Sequence, residues 1–256
     1  LRHGDVLDVE EYHDGNYGGK GKTRQKKEKP TKEQVRLINR RNKARLCRWR
    51  LIQYFDQGDL FITWTYAMEN RPPDMAEALK DFQKAMSKIR KIYRVRGAPL
   101  YWIRNIERGT KGAWHIHLVI KQTPDGDAAA IVTKAWTKGG TYVAEIRHSK
   151  FTGDDMEQLA DYLTKDEHTA EIKADGTPGK PRIAESSYNT SRNMPLPKPR
   201  TDKLVRWKPE VKPPKGYYIA RMHEGINPVT GFLYRSYTLI RLKTTERKRP
   251  PGRRRC

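Results

Sequence analysis

Apolar and polar positions along this chain fall into segments of two periods. Leu60 to Tyr66 and Trp114 to Lys121 are rich in β-branched and aromatic residues, the composition of buried strands. Side chains on a strand alternate faces, so in WHIHLVIK the residues His115, His117 and Val119 share one side, and Trp114, Ile116, Leu118 and Ile120 the other. In the earlier segment Thr63 and Thr65 lie opposite Ile62, Trp64 and Tyr66. Residues 99–107 read as another strand, joined to Trp114 by a polar link with Gly109 and Gly112, which predicts a hairpin. Met75, Leu79, Phe82, Met86, Ile89 and Tyr93 recur at steps of four and three, predicting a helix over 74–94 whose apolar stripe packs on a sheet. A short Ala-rich helix near 126–137 and a strand at 141–147 follow. A helix over 152–166 then carries Met156, Leu159, Ala160 and Leu163 on one stripe. Strand, helix, two strands, helix, strand, helix is a ferredoxin-like, RRM-like α+β plan with a central antiparallel sheet. It places the strand with the two histidines in the sheet interior and the last helix across one face.

The flanks read differently. Residues 1–30 are polar and Gly-rich with a Lys/Arg cluster from Lys20 to Lys29, a composition that predicts disorder. A basic helix is expected within 31–57, opening at Thr31 and carrying Arg36, Arg40, Arg41, Lys43, Arg45, Arg48 and Arg50. Its functional reading is contact with a DNA backbone, through Arg40, Arg41, Arg45 and Arg48; a solvated basic face is the plain alternative. Past residue 170 the pattern loosens into Gly, Pro and Lys. Residues 217–240 then read as a β-hairpin within an appended module at 201–256, which ends in a basic tail.

Composition narrows the partner. The chain has 53 Lys and Arg against 30 Asp and Glu, a net charge of +23 that calls for a polyanion. Two cysteines, Cys47 and Cys256, make no disulfide framework or Cys-based metal site and suit a reducing cytosol. No apolar run approaches the roughly 20 residues of a membrane span, and the amino terminus is polar rather than signal-like. Leu1 in place of Met reads as a fragment or as an alternative start codon taken literally. Gly21-Lys22-Thr23 is not a P-loop, because the pattern needs Gly where Asn16 stands and a strand before it. No ATPase or helicase segment is evident.

The candidate chemistry sits at the hairpin. Residues two apart on a strand are roughly 6.5 Å apart, so the rings of His115 and His117 can lean on one cation. The hairpin brings the Glu107 carboxylate beside them. Ordinary sheet histidines are the plain alternative, and a set of two His and one carboxylate equally suits a non-haem iron oxygenase or a zinc hydrolase. On the later helix Tyr162 and Lys165 fall on the side away from the apolar stripe, one turn apart. An isolated Tyr there is an ordinary surface residue. Beside a metal site in so basic a chain it suggests a nucleophile for phosphate, assisted by Lys165.

Three motifs in order carry a resemblance: Phe61-Ile62-Thr63-Trp64-Thr65, then Glu107 with His115-Ile116-His117, then Tyr162-x-x-Lys165. Over residues 58–200 the chain resembles the HUH endonucleases of the rolling-circle replication initiator (Rep) type, in which the tyrosine follows the histidines. Gln158 and Asp166 stand four residues either side of Tyr162, so the resemblance is to the single-tyrosine form. It implies that Glu107, His115 and His117 hold Mg2+ or Mn2+, with Asp166 assisting. It also implies that Tyr162 attacks a single-stranded DNA phosphate to leave a 5′-phosphotyrosine and a free 3′-hydroxyl, while Lys165 positions the phosphate. The implied setting is a bacterial cytoplasm, with an origin hairpin as substrate and a host helicase and polymerase as partners. Residues 186–195, SSYNTSRNMP, resemble a Ser-Arg-Asn segment of phage-type Rep proteins and add Arg192 and Asn193 as DNA contacts. Other readings stay open: a relaxase or transposase of the same superfamily, or a non-catalytic RRM-like module stacking bases on Trp64, Trp102 and Trp114.

Overall fold

The computed structural model describes residues 2–3, 5–12, 29–109, 112–146, 156–165, 188–196, 198–203, 207–226 and 232–242. In chain order its elements are β1 (Arg2–His3), β2 (Val6–Tyr12), α1 (Lys32–Tyr54), β3 (Leu60–Thr65), α2 (Met75–Val95), β4 (Trp102–Arg108), β5 (Trp114–Ile120), α3 (Ala128–Ala135), β6 (Thr141–Glu145), α4 (Glu157–Thr164), β7 (Tyr188–Thr190), β8 (Tyr217–Ile226) and β9 (Leu233–Arg241). They divide into two units, Pro30–Pro197 and Leu1–Lys29 with Lys198–Cys256. Among the described residues no helix is long and apolar enough to cross a membrane.

The larger unit is α+β. Its five-stranded sheet has the order β6-β3-β5-β4-β7, and every neighbouring pair is antiparallel. The histidine strand β5 is central, as its apolar residues on both faces require. On one face Ile62, Trp64, Ile106, Ile116 and Leu118 pack with Phe82, Met86 and Ile89 of α2 and with Val132 and Trp136 at α3. Trp136 stacks on Trp64 with ring centroids 4.8 Å apart, and its indole N–H donates to the Thr65 carbonyl at 2.9 Å. The opposite face buries Ile103 and Val119 against Cys47, Leu51 and Phe55 of α1 and its end, and against Ala160 and Leu163 of α4. The sheet is thus the middle of three layers. Local signals start the helices: Asp74 accepts from the Glu77 N–H at α2, and Thr31 with Gln34 makes a reciprocal capping box at α1.

Two expectations at the flanks change. The basic helix is not a separate element, because its carboxy-terminal half supplies part of the second core within Pro30–Pro197. Its amino-terminal half is exposed on all sides. Composition predicts disorder over 1–30, yet Val6–Tyr12 is a strand. The smaller unit is a sheet of order β1-β2-β9-β8, in which β2 pairs with β9 from Val6↔Ile240 to Tyr12↔Tyr234. The composition of β2 is polar because its charges are paired: Arg235 Nε donates to Glu11 at 2.6 Å, Tyr237 donates to Glu11 at 2.9 Å, and Thr238 donates to Asp8 at 2.7 Å. The carboxy-terminal hairpin is therefore joined by the first strands of the chain. The basic cluster at 20–28, Asp166, the hairpin tip at 227–231 and the tail from 243 lie outside the described residues.

Candidate active site

Register and alternation build the site before any side chain is considered. On β4 and β5, Glu107 lies opposite His115 and Asn105 opposite His117, while β3 places Thr63 opposite His117 and Thr65 opposite His115. Directly opposed residues share a face, so all of these project into the layer that holds α1 and α4. The hairpin link closes with Gly109 N–H donating to the Ala113 carbonyl at 2.8 Å, and Gly112 takes a φ of +79°, a conformation that suits glycine. Gly109 is required for a different reason: a Cβ there would lie 2.7 Å from Cε1 of His115.

His117 is the hub. Its Nδ1 lies 3.0 Å from the Thr63 hydroxyl, and its Nε2 lies 2.7 Å from Glu107 Oε1 and 3.0 Å from the Tyr162 hydroxyl. The Tyr162 hydroxyl also donates to Glu107 Oε1 at 3.4 Å. Phe61 stacks on the His117 ring at 5.7 Å and meets the Tyr162 ring edge-on at 6.0 Å, which holds both rings from one side. The Lys165 ammonium sits 5.4 Å from the centroid of the Tyr162 ring. The side chain of His117 is 7% exposed and that of Glu107 17%, so their contact is shielded from water.

Ionisation follows from this enclosure. Burial pushes the Tyr162 phenol up to about 12, and the charge and hydrogen bond of Glu107 push the same way, so the resting phenol keeps its proton. His115 is held below the ordinary histidine value by burial and by its His117 neighbour, against the pull of Glu107, with Arg71 adding to the lowering. A neutral imidazole is the form that binds a metal.

The donor set of Glu107, His115 and His117 suits a divalent cation, one carboxylate with two imidazoles. The Thr63 hydroxyl engages Nδ1 of His117 and leaves Nε2 turned toward Glu107, as in metal-binding histidines whose second nitrogen is occupied. The direct bond between Glu107 and His117 stands where a cation would be shared. Among the described residues no three His, Cys, Asp or Glu side chains are already gathered into a metal cage.

Helical periodicity puts Tyr162 on the outward side of its helix, and the structure does not. Ala160 and Leu163 do face inward, but they pack against α1, and the flank that bears Tyr162 turns to the sheet. A helix wedged between another helix and a sheet has two buried flanks rather than one stripe. Of the other named residues, Arg40 and Arg41 are exposed on α1 and Arg45 is partly exposed, over the Trp49 ring. Arg48 is only 5% exposed and so does not lie on the outward basic face, because the same half of α1 that carries it packs inward. Arg192 and Asn193 follow β7 and lie toward α2, on the sheet face opposite Tyr162. Asn193 donates to the Leu100 carbonyl at 3.2 Å and so anchors its turn. The base-stacking module would need exposed tryptophans, yet Trp64 and Trp114 are buried beneath α2 and α3. Sequence reasoning misses Thr63, Phe61 and Asn105 as site residues. Thr63 and Phe61 belong to a strand motif whose register against β5 is invisible in sequence.

No curated protein and no solved structure matches this chain significantly. Residues 59–167, which span β3 to the end of α4, match the family model for the ORF2-type Replication-associated protein. The segment that carries Thr63, Glu107, both histidines and Tyr162 belongs to this family of rolling-circle replication initiators.

Proposed function

We propose that the chain nicks and rejoins single-stranded DNA to initiate rolling-circle replication, with Tyr162 as nucleophile and the larger unit acting as an HUH endonuclease domain. The observation that carries this reading is the Tyr162 hydroxyl 3.0 Å from His117 Nε2 and 3.4 Å from Glu107 Oε1, on the one sheet face where both histidines project. An oxygen nucleophile is thereby held beside the groups suited to grip the phosphate it attacks.

In the forward step the Tyr162 oxygen bonds to phosphorus and the bond from phosphorus to the 3′-oxygen breaks. The phenolic proton leaves toward the Glu107 and His117 pair and ends on the departing 3′-oxygen, so the products are a 5′-phosphotyrosine and a free 3′-hydroxyl. The phosphodiester energy is retained in the new ester, and the 3′-hydroxyl can reverse the reaction without a nucleotide cofactor. Lys165, over the Tyr162 ring, places a positive charge where the phenolate and the phosphate develop negative charge. Phe61 fixes the rings of His117 and Tyr162, which limits the freedom lost on reaching the attacking geometry. A divalent cation, Mg2+ or Mn2+, held by Glu107, His115 and His117 supplies Lewis-acid polarisation of the phosphate and offsets the Glu107 charge that keeps Tyr162 protonated.

Incubation with end-labelled, hairpin-bearing single strands and Mn2+ tests the reading. The unaltered chain is expected to give a DNA adduct that survives denaturing electrophoresis. Tyr162→Phe is expected to give none while retaining DNA affinity, since backbone charge carries binding. Adduct formation by Tyr162→Phe would remove the assignment.

A further inference from the structure

The sheet face opposite Tyr162 is not fully covered. Five strands spaced about 4.8 Å apart span about 24 Å, whereas two helices about 10 Å across cover about 20 Å. On that face α3 lies to the β6 and β3 side of α2, where Trp136 stacks on Trp64. The other flank of α2, above β4 and the short edge strand β7, borders a cavity of about 610 Å3. That size falls in the range of small-molecule sites, about 300–1,000 Å3.

Its wall has a distinct chemistry. Arg90 from α2, Arg104 from β4 and Arg192 from the turn after β7 converge on it, and none of its described lining residues is acidic. Trp102 forms an aromatic wall, with its ring 5.2 Å from Phe82, and Gln83 and Asn189 add amide groups. Arg104 is 3% exposed, its guanidinium 5.2 Å from the Phe82 ring. Burial lowers it only to about 10, so it remains charged at neutral pH. A gap left by imperfect core filling would be lined by apolar groups alone. Three arginines facing one space repel one another, and an anion in that space would relieve the repulsion. Guanidinium groups match phosphate geometry, an indole offers a stacking surface, and amides read the edge of a base.

We propose that this cavity binds a single nucleotide unit, its base against Trp102 and its phosphate among Arg90, Arg104 and Arg192, on the sheet face away from the nicking tyrosine. The inference rests on the nicking reading only in taking a DNA strand as a source of that nucleotide. In a strand, one nucleotide held here would tether the DNA at a second point beside the Tyr162 site.

Full-length chain in EDTA, titrated against a fluorescein-labelled single-stranded 12-mer, provides the test. Arg90→Glu/Arg192→Glu is compared with Lys88→Glu/Lys91→Glu, which makes the same charge change at exposed positions of α2 outside the cavity wall. Both arginines are exposed, so folding is expected to survive, as circular dichroism would check. The arginine pair is expected to lose about tenfold more strand affinity than the lysine pair. In a second arm dAMP is titrated against tryptophan fluorescence. A saturable quench that Arg90→Glu/Arg192→Glu abolishes identifies the free nucleotide as a ligand; a loss confined to the strand identifies a nucleotide held within DNA. Equal losses in the two double variants, with no quench that depends on Arg90 and Arg192, would overturn the proposal. Both arms read binding without cleavage. Their failure leaves adduct formation by Tyr162 untouched, and failure of that adduct leaves them untouched.

Discussion

Three side chains from three elements meet one imidazole: Thr63 on Nδ1 of His117, and Glu107 and Tyr162 on Nε2. Fixing both ring nitrogens sets which one faces the phosphate side, a matter of orientation rather than of added affinity. Asn105 stands apart in this cluster. It lies opposite His117, has no exposed surface, and neither its amide nitrogen nor its amide oxygen makes a hydrogen bond. Burying such a group without a partner costs about 1–3 kcal/mol, and replacement by an apolar side chain of similar size removes that cost. Asn105→Leu is accordingly expected to raise unfolding stability in urea by about 1 kcal/mol or more. An unchanged or lower midpoint would show that the amide is satisfied in solution. The residue types Glu107, His115, His117 and Tyr162 were legible as candidates from spacing and alternation. Asn105 was not, because an Asn inside an otherwise apolar strand carries no signal of its depth.

At the scale of elements, α1 shows how one helix divides its roles. Its first turns are exposed on every side, while Cys47, Leu51 and the following Phe55 are buried. The Thr31 and Gln34 capping box therefore acts on a stretch with no packing to reinforce it. Losing such a cap costs about 1 kcal/mol, or about fivefold in a local opening equilibrium. Thr31→Ala is expected to speed amide exchange over residues 34–38 by about that factor with the global unfolding midpoint unchanged. A lowered midpoint would mean that the first turns carry tertiary contacts. Strand and helix identities were legible wherever the period was long and clean, as for α2 and β5. The three-residue strand β7 was not, since Tyr188–Thr190 is too short to show a period and is held by pairing with Ile103, Arg104 and Asn105. The orientation of Tyr162 failed for a related reason: a hydrophobic stripe marks one buried flank and is silent about a second flank that buries a polar ring.

At the scale of the whole molecule, the chain closes its smaller sheet with its two ends, pairing Val6–Tyr12 with β9 more than 220 residues later. Deleting residues 1–12 would leave β9 as an edge strand and strand Arg235 and Thr238 without their acidic partners Glu11 and Asp8. Amide protection in β8 and β9 is expected to fall while residues 30–197 keep theirs; undiminished protection of the hairpin would show that it stands without the amino-terminal strand. Strand alternation, the hairpin link and helical periodicity are local properties, so sequence by itself determined the α+β class, the shared face of His115 and His117, and the placement of Glu107 beside them. The net charge of +23 likewise pointed to a polyanion without any coordinates. Only the tertiary structure decided that Tyr162 turns toward His117, that Arg48 is buried, that the first strand pairs with the last, and that three arginines share one cavity. Each of those depends on segments distant in sequence being brought together, and the preference of a residue for its neighbours along the chain holds no record of which distant surface it will meet.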